Sequence, residues 1–212
     1  MARMKESAQL TVGFDLDMTL IDSRPGIKAV YDLLAAETGV EIDSELVVSR
    51  LGPPVELEMA NWYPAGAVDE MSDRYRALYA EHGVADCLAL PGAYASLESV
   101  RAHGGRSVVV TGKFGPNARL NLEALDLRVD ALHGTVFGQQ KGARLREEGA
   151  GIYVGDHLGD IEGARAASAV AVGVATGPYD ARELGAAGAD VVLPDLTAFP
   201  DWLAAHLAAQ PG

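Results

Sequence analysis

The chain has 212 residues, 49% hydrophobic and 22% charged, a composition that suits a folded domain with a full core and room for one inserted subdomain. Thirty acidic residues against seventeen basic ones give a formal charge of −13, a field that repels nucleic acid and anionic membranes. No apolar run reaches the ~18 residues of a membrane span, and Met1 to Gln9 has no apolar stretch behind its basic residues for a signal peptide. The single cysteine, Cys87, cannot close an internal disulfide, so a cytoplasmic protein without nucleic-acid or membrane partners is expected. No oligomeric state is read from the chain. An acidic protein handling an anionic substrate must neutralise its own carboxylates locally, and a divalent cation does this economically.

In chain order, short apolar runs rich in β-branched residues occur at Leu10 to Phe14, Ser107 to Val110, Ile152 to Val154, Val170 to Val174 and Val191 to Leu193. A weaker run spans Ala131 to Phe137. Helical patterns separate them, which predicts an α/β fold with parallel strands and crossover helices on both faces. The interval between the first two runs has helical periodicity and no good strand. Ile27, Val30, Tyr31 and Leu34 share one helical face, with Ser23 and Pro25 at the start and Gly39 past the end. Val68, Met71, Tyr75, Leu78 and Tyr79 form a second stripe that stops at Gly83, and a helix from Tyr94 to His103 leads back to the sheet. This predicts a helical cap over residues 24–88, inserted into a core of residues 1–23 and 89–212.

Ligands of parallel sheets bind beyond the carboxyl ends of the strands. Asp15 and Asp17 stand there in Val12-Gly13-Phe14-Asp15-Leu16-Asp17-Met18-Thr19. Carboxylates this close repel one another, which suggests a bound cation or an acid/base division of labour; solvated turn residues are the plain alternative. Val154-Gly155-Asp156-His157-Leu158-Gly159-Asp160 repeats the arrangement after another strand. There Asp160 also suits the first turn of a helix, as a capping residue. Oxygen ligands from a few carboxylates are what Mg²⁺ prefers. Val110-Thr111-Gly112-Lys113 offers a hydroxyl and backbone N–H groups at a strand end, able to hold phosphate oxygens, and Lys141 opens a further helical stretch.

Together these residues resemble the haloacid dehalogenase superfamily of hydrolases. The order Asp-x-Asp-x-Thr, Thr-Gly-Lys, a downstream lysine and Gly-Asp-x-x-x-Asp is similar to that family from Thr11 to Trp202. Leu51-Gly52-Pro53-Pro54, Leu90-Pro91-Gly92 and Gly185 to Val192 are similar to its phosphoglycolate phosphatase-like branch. The resemblance implies a Rossmann-like doubly wound core with a helical cap, and hydrolysis of a small phosphorylated metabolite. It implies Asp15 as nucleophile and Asp17 as general acid and base. Thr111, Gly112 and Lys141 would hold the phosphoryl group. Mg²⁺ would be held by Asp15, the Asp17 backbone carbonyl and Asp156, with Asp160 supporting.

Gly142 departs from this branch, which commonly has proline after the lysine, and Lys113 competes with Lys141 for the charge of the nucleophile. His157 stands where a small hydroxyl residue is common and is expected as an exposed imidazole; Cys87 is expected to serve packing. Arg50, beside the Gly-Pro-Pro turn, is the cap residue placed to reach a second anionic group of a substrate, with solvated surface as the alternative. A phosphosugar mutase of the same superfamily and a phosphate-ligand sensor without turnover are the competing functions. Thr19 favours a phosphatase over the mutase, and the presence of Asp17 disfavours a dehalogenase.

Overall fold

The computed structural model describes residues 9–209. The reading of Met1 to Gln9 as free of a leader therefore lies, except for Gln9, outside the described residues, as do the last three residues of the core segment.

The chain runs β1 (Thr11–Phe14), β2 (Ile21–Asp22), α1 (Arg24–Thr38), α2 (Ser44–Val48), α3 (Val55–Met59), α4 (Val68–Leu78) and β3 (Leu88–Ala89). It continues through α5 (Ala93–Ala102), β4 (Arg106–Val110), α6 (Gly115–Ala124), β5 (Ala131–His133), α7 (Lys141–Glu147) and β6 (Ile152–Gly155). The last elements are α8 (Leu158–Ala167), β7 (Val170–Val174), α9 (Ala181–Ala186), β8 (Val191–Leu193) and α10 (Phe199–Ala208). Six strands form one sheet in the order β5-β4-β1-β6-β7-β8, every neighbouring pair parallel. The fold is the doubly wound, Rossmann-like core that the resemblance implies.

Alternation along each strand explains the two covered faces. Val109, Ile152, Val154, Val172 and Val174 pack under α5, α6 and α10. Their neighbours Val108, Val110, Tyr153 and Ala171 point the other way, into a core closed by Leu145 of α7, Ile161 of α8 and Leu184 of α9. A separate cluster joins Ile27, Val30, Tyr31 and Leu34 of α1 to Tyr75 and Leu78 of α4, with Met59, Tyr79 and Cys87.

The sequence expectations for both stripes hold in detail. α1 ends where the Gly39 backbone turns left-handed at φ 70°, its N–H donating to the Ala35 carbonyl. Ser23 precedes the helix but its side chain caps nothing. Two expectations change. The interval with no good strand contains β2 and β3, a two-residue antiparallel ribbon in which Ile21 faces Ala89 and Asp22 faces Leu88. The ribbon is too short to leave an alternating signature. The run from Ala131 is a strand only to His133, because Thr135 adopts φ 61°, which breaks the extended backbone.

Helices α7 and α8 cross closely. A Cβ on Gly142 would lie 2.7 Å from the Ala166 Cβ, so the position where relatives commonly carry proline has no room for any side chain. Gly142→Ala should lower stability by about 2 kcal/mol through overpacking, although alanine is the better helix former. Thermal denaturation checks this, and an unchanged or raised melting temperature would contradict the tight crossing.

Candidate active site

β1, β4 and β6 are neighbours at the middle of the sheet, where the chain's path reverses from one side to the other, and their carboxyl ends define the site. Asp15 follows β1 directly, anchored by its N–H donating to the Val154 carbonyl at 2.9 Å. The chain then folds into a compact turn in which the Leu16 carbonyl accepts from the N–H groups of Leu20 and Ile21. Met18 takes φ 59° within it, and its carbonyl accepts from the Thr176 hydroxyl at 2.6 Å. A strained residue held by outside contacts is a recurring feature of functional loops. The turn also aims Thr19 inward, where its hydroxyl donates to Asp156 Oδ1 at 2.8 Å.

β6 delivers Asp156, and α8 begins two residues later with a reciprocal cap. His157 Nδ1 accepts from the Gly159 N–H, and Asp160 Oδ2 accepts from the His157 N–H at 3.0 Å. The capping role weighed for Asp160 is therefore real, but its other oxygen is also occupied. Lys141 Nζ lies 2.5 Å from Asp160 Oδ1, 3.1 Å from Asp15 Oδ1 and 3.0 Å from the Tyr153 hydroxyl. Tyr153 in turn donates to the Val110 carbonyl. Lys113 stands elsewhere, with its Nζ 3.0 Å from Asp17 Oδ1 and 4.0 Å above the Tyr79 ring. Of the two competing lysines, only Lys141 touches Asp15.

Asp15, Asp156, Asp160 and Lys141 are all almost completely buried. Burial pushes the Asp15 carboxyl up to about 7, with Lys141 pulling it down and Asp160 and Asp17 pushing further up. Asp156 is also raised, by burial first and then by Asp160 and Asp15. Burial disfavours the Lys141 ammonium, but Asp15 and Asp160 outweigh it and keep Lys141 charged. Three carboxyls thus share one ammonium, and burial favours the neutral forms of Asp15 and Asp156 until a further positive charge offsets them.

The donor set fits a divalent cation. One carboxylate oxygen from each of Asp15, Asp156 and Asp160 lies within 4.8 Å of the others. Asp15 Oδ1 is sealed from solvent with no hydrogen-bond donor, since Lys141 approaches off the hydrogen-bonding direction. Hard oxygen ligands of this kind suit Mg²⁺. A Cβ on Gly177 would lie 1.8 Å from Asp156 Oδ2, so only glycine leaves that carboxylate in place. With both Asp160 oxygens engaged by protein donors, Asp15 and Asp156 are the carboxylates left to face an ion.

Thr111 is buried at the end of β4; its N–H donates to the His133 carbonyl, and its hydroxyl accepts from the Lys113 N–H at 3.3 Å. Gly112 and Lys113 line a cavity between core and cap that also includes Asp17, Arg50 and Gly52. His157 corrects the expectation of an exposed imidazole. It is half-buried, with ring centroids of Phe137 and Tyr179 at 5.4 and 4.9 Å, and burial lowers its pKa. Cys87 is buried beside the Tyr79 hydroxyl, as packing. Sequence reasoning missed Tyr153, Thr176 and Gly177, and assigned Thr19 no contact. Only the Thr-Gly pair after β7 signalled a second glycine turn at a strand end.

Replacing Lys141 by methionine should destabilise the fold by about 3 kcal/mol, because two buried carboxylates lose their counter-charge. Adding Asp160→Asn should restore part of that loss, since the pair is coupled. Denaturant melts of the three variants test this; additive losses would contradict the network.

Comparison with known proteins agrees with the geometry. The haloacid dehalogenase-like hydrolase family model matches residues 12–165, and a second model of that superfamily matches residues 140–199. The chain is 32% identical over 215 residues to phosphoglycolate phosphatase of Rhodospirillum rubrum, covering 90% of this chain and 89% of the relative. It is 27% identical over 175 residues to the tyrosine-protein kinase PtkA of Mycobacterium tuberculosis, covering 76% of this chain and 60% of that one. A predicted phosphatase from Clostridium acetobutylicum shares the fold, with a TM-score of 0.80 at 24% identity over 94% of this chain and all of that one. The site at the centre of the sheet and the match across most of its length agree: the chain belongs to the haloacid dehalogenase-like hydrolases.

Proposed function

We propose that the chain removes phosphate from a small phosphorylated metabolite in a Mg²⁺-dependent reaction, through an aspartyl-phosphate on Asp15. It is a phosphoric monoester hydrolase of the haloacid dehalogenase type, similar to phosphoglycolate phosphatase. The observation that carries the mechanism is the buried Asp15 carboxylate at the end of β1, beside Lys141 and Asp156 and followed by Asp17.

An Asp15 oxygen attacks phosphorus and the ester P–O bond breaks. Asp17 gives a proton to the departing alkoxide. Asp17 then takes a proton from water, the water oxygen attacks phosphorus, and the acyl phosphate splits into inorganic phosphate and the Asp15 carboxylate. Thr111, the Gly112 N–H and Lys141 hold the phosphoryl oxygens. Among the described residues the Gly112 N–H has no protein acceptor, which suits that task. Lys113 fixes the position of the Asp17 carboxylate. Asp15, Asp156 and the Asp17 backbone carbonyl would hold the Mg²⁺, with Asp160 behind them. When bound, the ion neutralises charge building on the phosphoryl oxygens.

Residues 24–88 serve as the cap over this site, and 1–23 with 89–212 as the catalytic core. The separate cluster around α1 and α4 supports that division, with the β2–β3 ribbon at the joint. A charge of −13 supports a small metabolite over nucleic acid or membrane as partner, and the single cysteine fits a reducing, cytoplasmic setting. No helix among the described residues is long and apolar enough to cross a membrane.

Asp15→Asn should reduce hydrolysis of an aryl phosphate by at least about a thousandfold while the protein stays folded, because an amide does not attack phosphorus. Asp17→Asn should damage alkyl phosphates far more than aryl ones, whose leaving groups need no proton. Excess chelator should abolish activity and Mg²⁺ should restore it. Steady-state phosphate release reads all three. Wild-type turnover in the folded Asp15 variant, or isomerised sugar phosphate in place of free phosphate, would contradict the mechanism.

A further inference from the structure

The cavity between cap and core holds three cationic side chains, Arg50, Arg76 and Lys113, and three carboxylates, Asp17, Glu56 and Glu58. Each cation is already matched to one of the acids. Glu58 takes Arg50 in a two-point bond, at 3.0 Å to Nε and 2.7 Å to the terminal nitrogen. The Trp62 indole N–H also donates to Glu58 at 2.7 Å, so both oxygens of that carboxylate are committed. Arg76 is paired with Glu56 and with Asp73, and it stacks over Phe114 at 4.8 Å. Lys113 is paired with Asp17. Arg76 Nε lacks an acceptor but is sealed from solvent, so a second anionic group on a substrate would find no open, unpaired cation here, and two-point arginine pairs do not give up a partner cheaply.

What the cavity leaves both unpaired and open is neutral. Tyr31 and Tyr75 are over nine-tenths buried, line the cavity and stack with ring centroids 4.8 Å apart. Their hydroxyls have no protein hydrogen-bond partner among the described residues. The neighbouring Tyr79 hydroxyl, by contrast, donates to Asn121 at 2.9 Å. Neither oxygen is sealed from solvent, so a ligand's own hydroxyl can reach and pair with them.

We propose that this cavity takes an uncharged, hydroxyl-bearing alcohol as the leaving group, and that Glu58 excludes carboxylate-bearing esters by holding Arg50. The claim rests on the phosphatase reading for its catalytic readout and narrows it. Glu58 is a positioning residue acting through Arg50. Arg50, singled out from the sequence as a grip for a second anion, is here the group that Glu58 withdraws from that task.

The test uses two esters of matched size, 2-hydroxyethyl phosphate and phosphoglycolate, which differ by a CH₂OH in place of a carboxylate. With the wild-type protein, kcat/KM should favour the hydroxyethyl ester by at least about tenfold, as expected for a site built to pair a hydroxyl. Glu58→Gln should shrink that ratio about tenfold, through a lower KM for phosphoglycolate rather than a changed kcat. The double variant Arg50→Met, Glu58→Gln, which removes both charges and leaves neither partner unpaired, should leave the phosphoglycolate KM unchanged, and it keeps the claim testable if the single Glu58 variant does not fold. Tyr75→Phe should weaken 2-hydroxyethyl phosphate several-fold but not ethyl phosphate. A wild-type preference for phosphoglycolate, an unmoved ratio in Glu58→Gln, or a raised phosphoglycolate KM in the double variant would each overturn the proposal. Calorimetric titration of both esters into the Asp15→Asn protein separates the two readings. A tenfold affinity difference without wild-type turnover would sink the phosphatase and uphold the cavity; equal affinities would sink the cavity alone.

Discussion

Lys141 sits between Asp15 and Asp160 in a volume that solvent barely reaches, and much of the central architecture serves that placement. Two carboxylates and an ammonium cannot be buried separately, since each unpaired charge would cost several kcal/mol. One ammonium serves three carboxyls, and the upward shifts of Asp15 and Asp156 mark a site short of positive charge, which a divalent cation would supply. The lysine reaches this point because α7 crosses α8 through Gly142 and Ala166. Asp160 reaches it because it also closes the first turn of α8. One residue thus closes the first turn of α8 and holds the lysine that faces Asp15.

The buried cluster around Asp15 and the neighbouring cavity use charge differently. Around Asp15 the charges are unbalanced, which suits a reaction in which a metal and a phosphoryl group meet. In the cavity lined by Tyr31, Arg50 and Arg76 the charges are matched pair by pair, and the open unpaired groups are phenols. Similarity to phosphoglycolate phosphatase shows the family, while on the proposal above the alcohol's identity would be decided by cavity residues such as Glu58, Tyr31 and Tyr75.

The sequence made the sheet and its site legible because strand-end motifs depend on local order. Asp15, Thr111 and Asp156 each follow a valine- or isoleucine-containing run, and three such runs place three side chains at one edge. The α1 and α4 stripes were readable for the same reason, by periodicity. Pairings across long separations left no trace. Nothing in the spacing says that Glu58 rather than solvent meets Arg50, or that Thr176 holds the Met18 carbonyl 158 residues away. His157 was misjudged because its neighbours Phe137 and Tyr179 come from loops that only the fold brings together. Gly142 looked like a departure from the family and is explained by one methyl group on the facing helix.

The central claim is that phosphate passes through a covalent bond to Asp15. Acid quenching during turnover, followed by borohydride reduction and peptide mass spectrometry, reads that bond directly, because an acyl phosphate is reduced to the alcohol while a free carboxylate is not. The account predicts homoserine at position 15 only when substrate and Mg²⁺ are both present. Vigorous phosphate release with position 15 unmodified throughout, or with the label on another side chain, would contradict it.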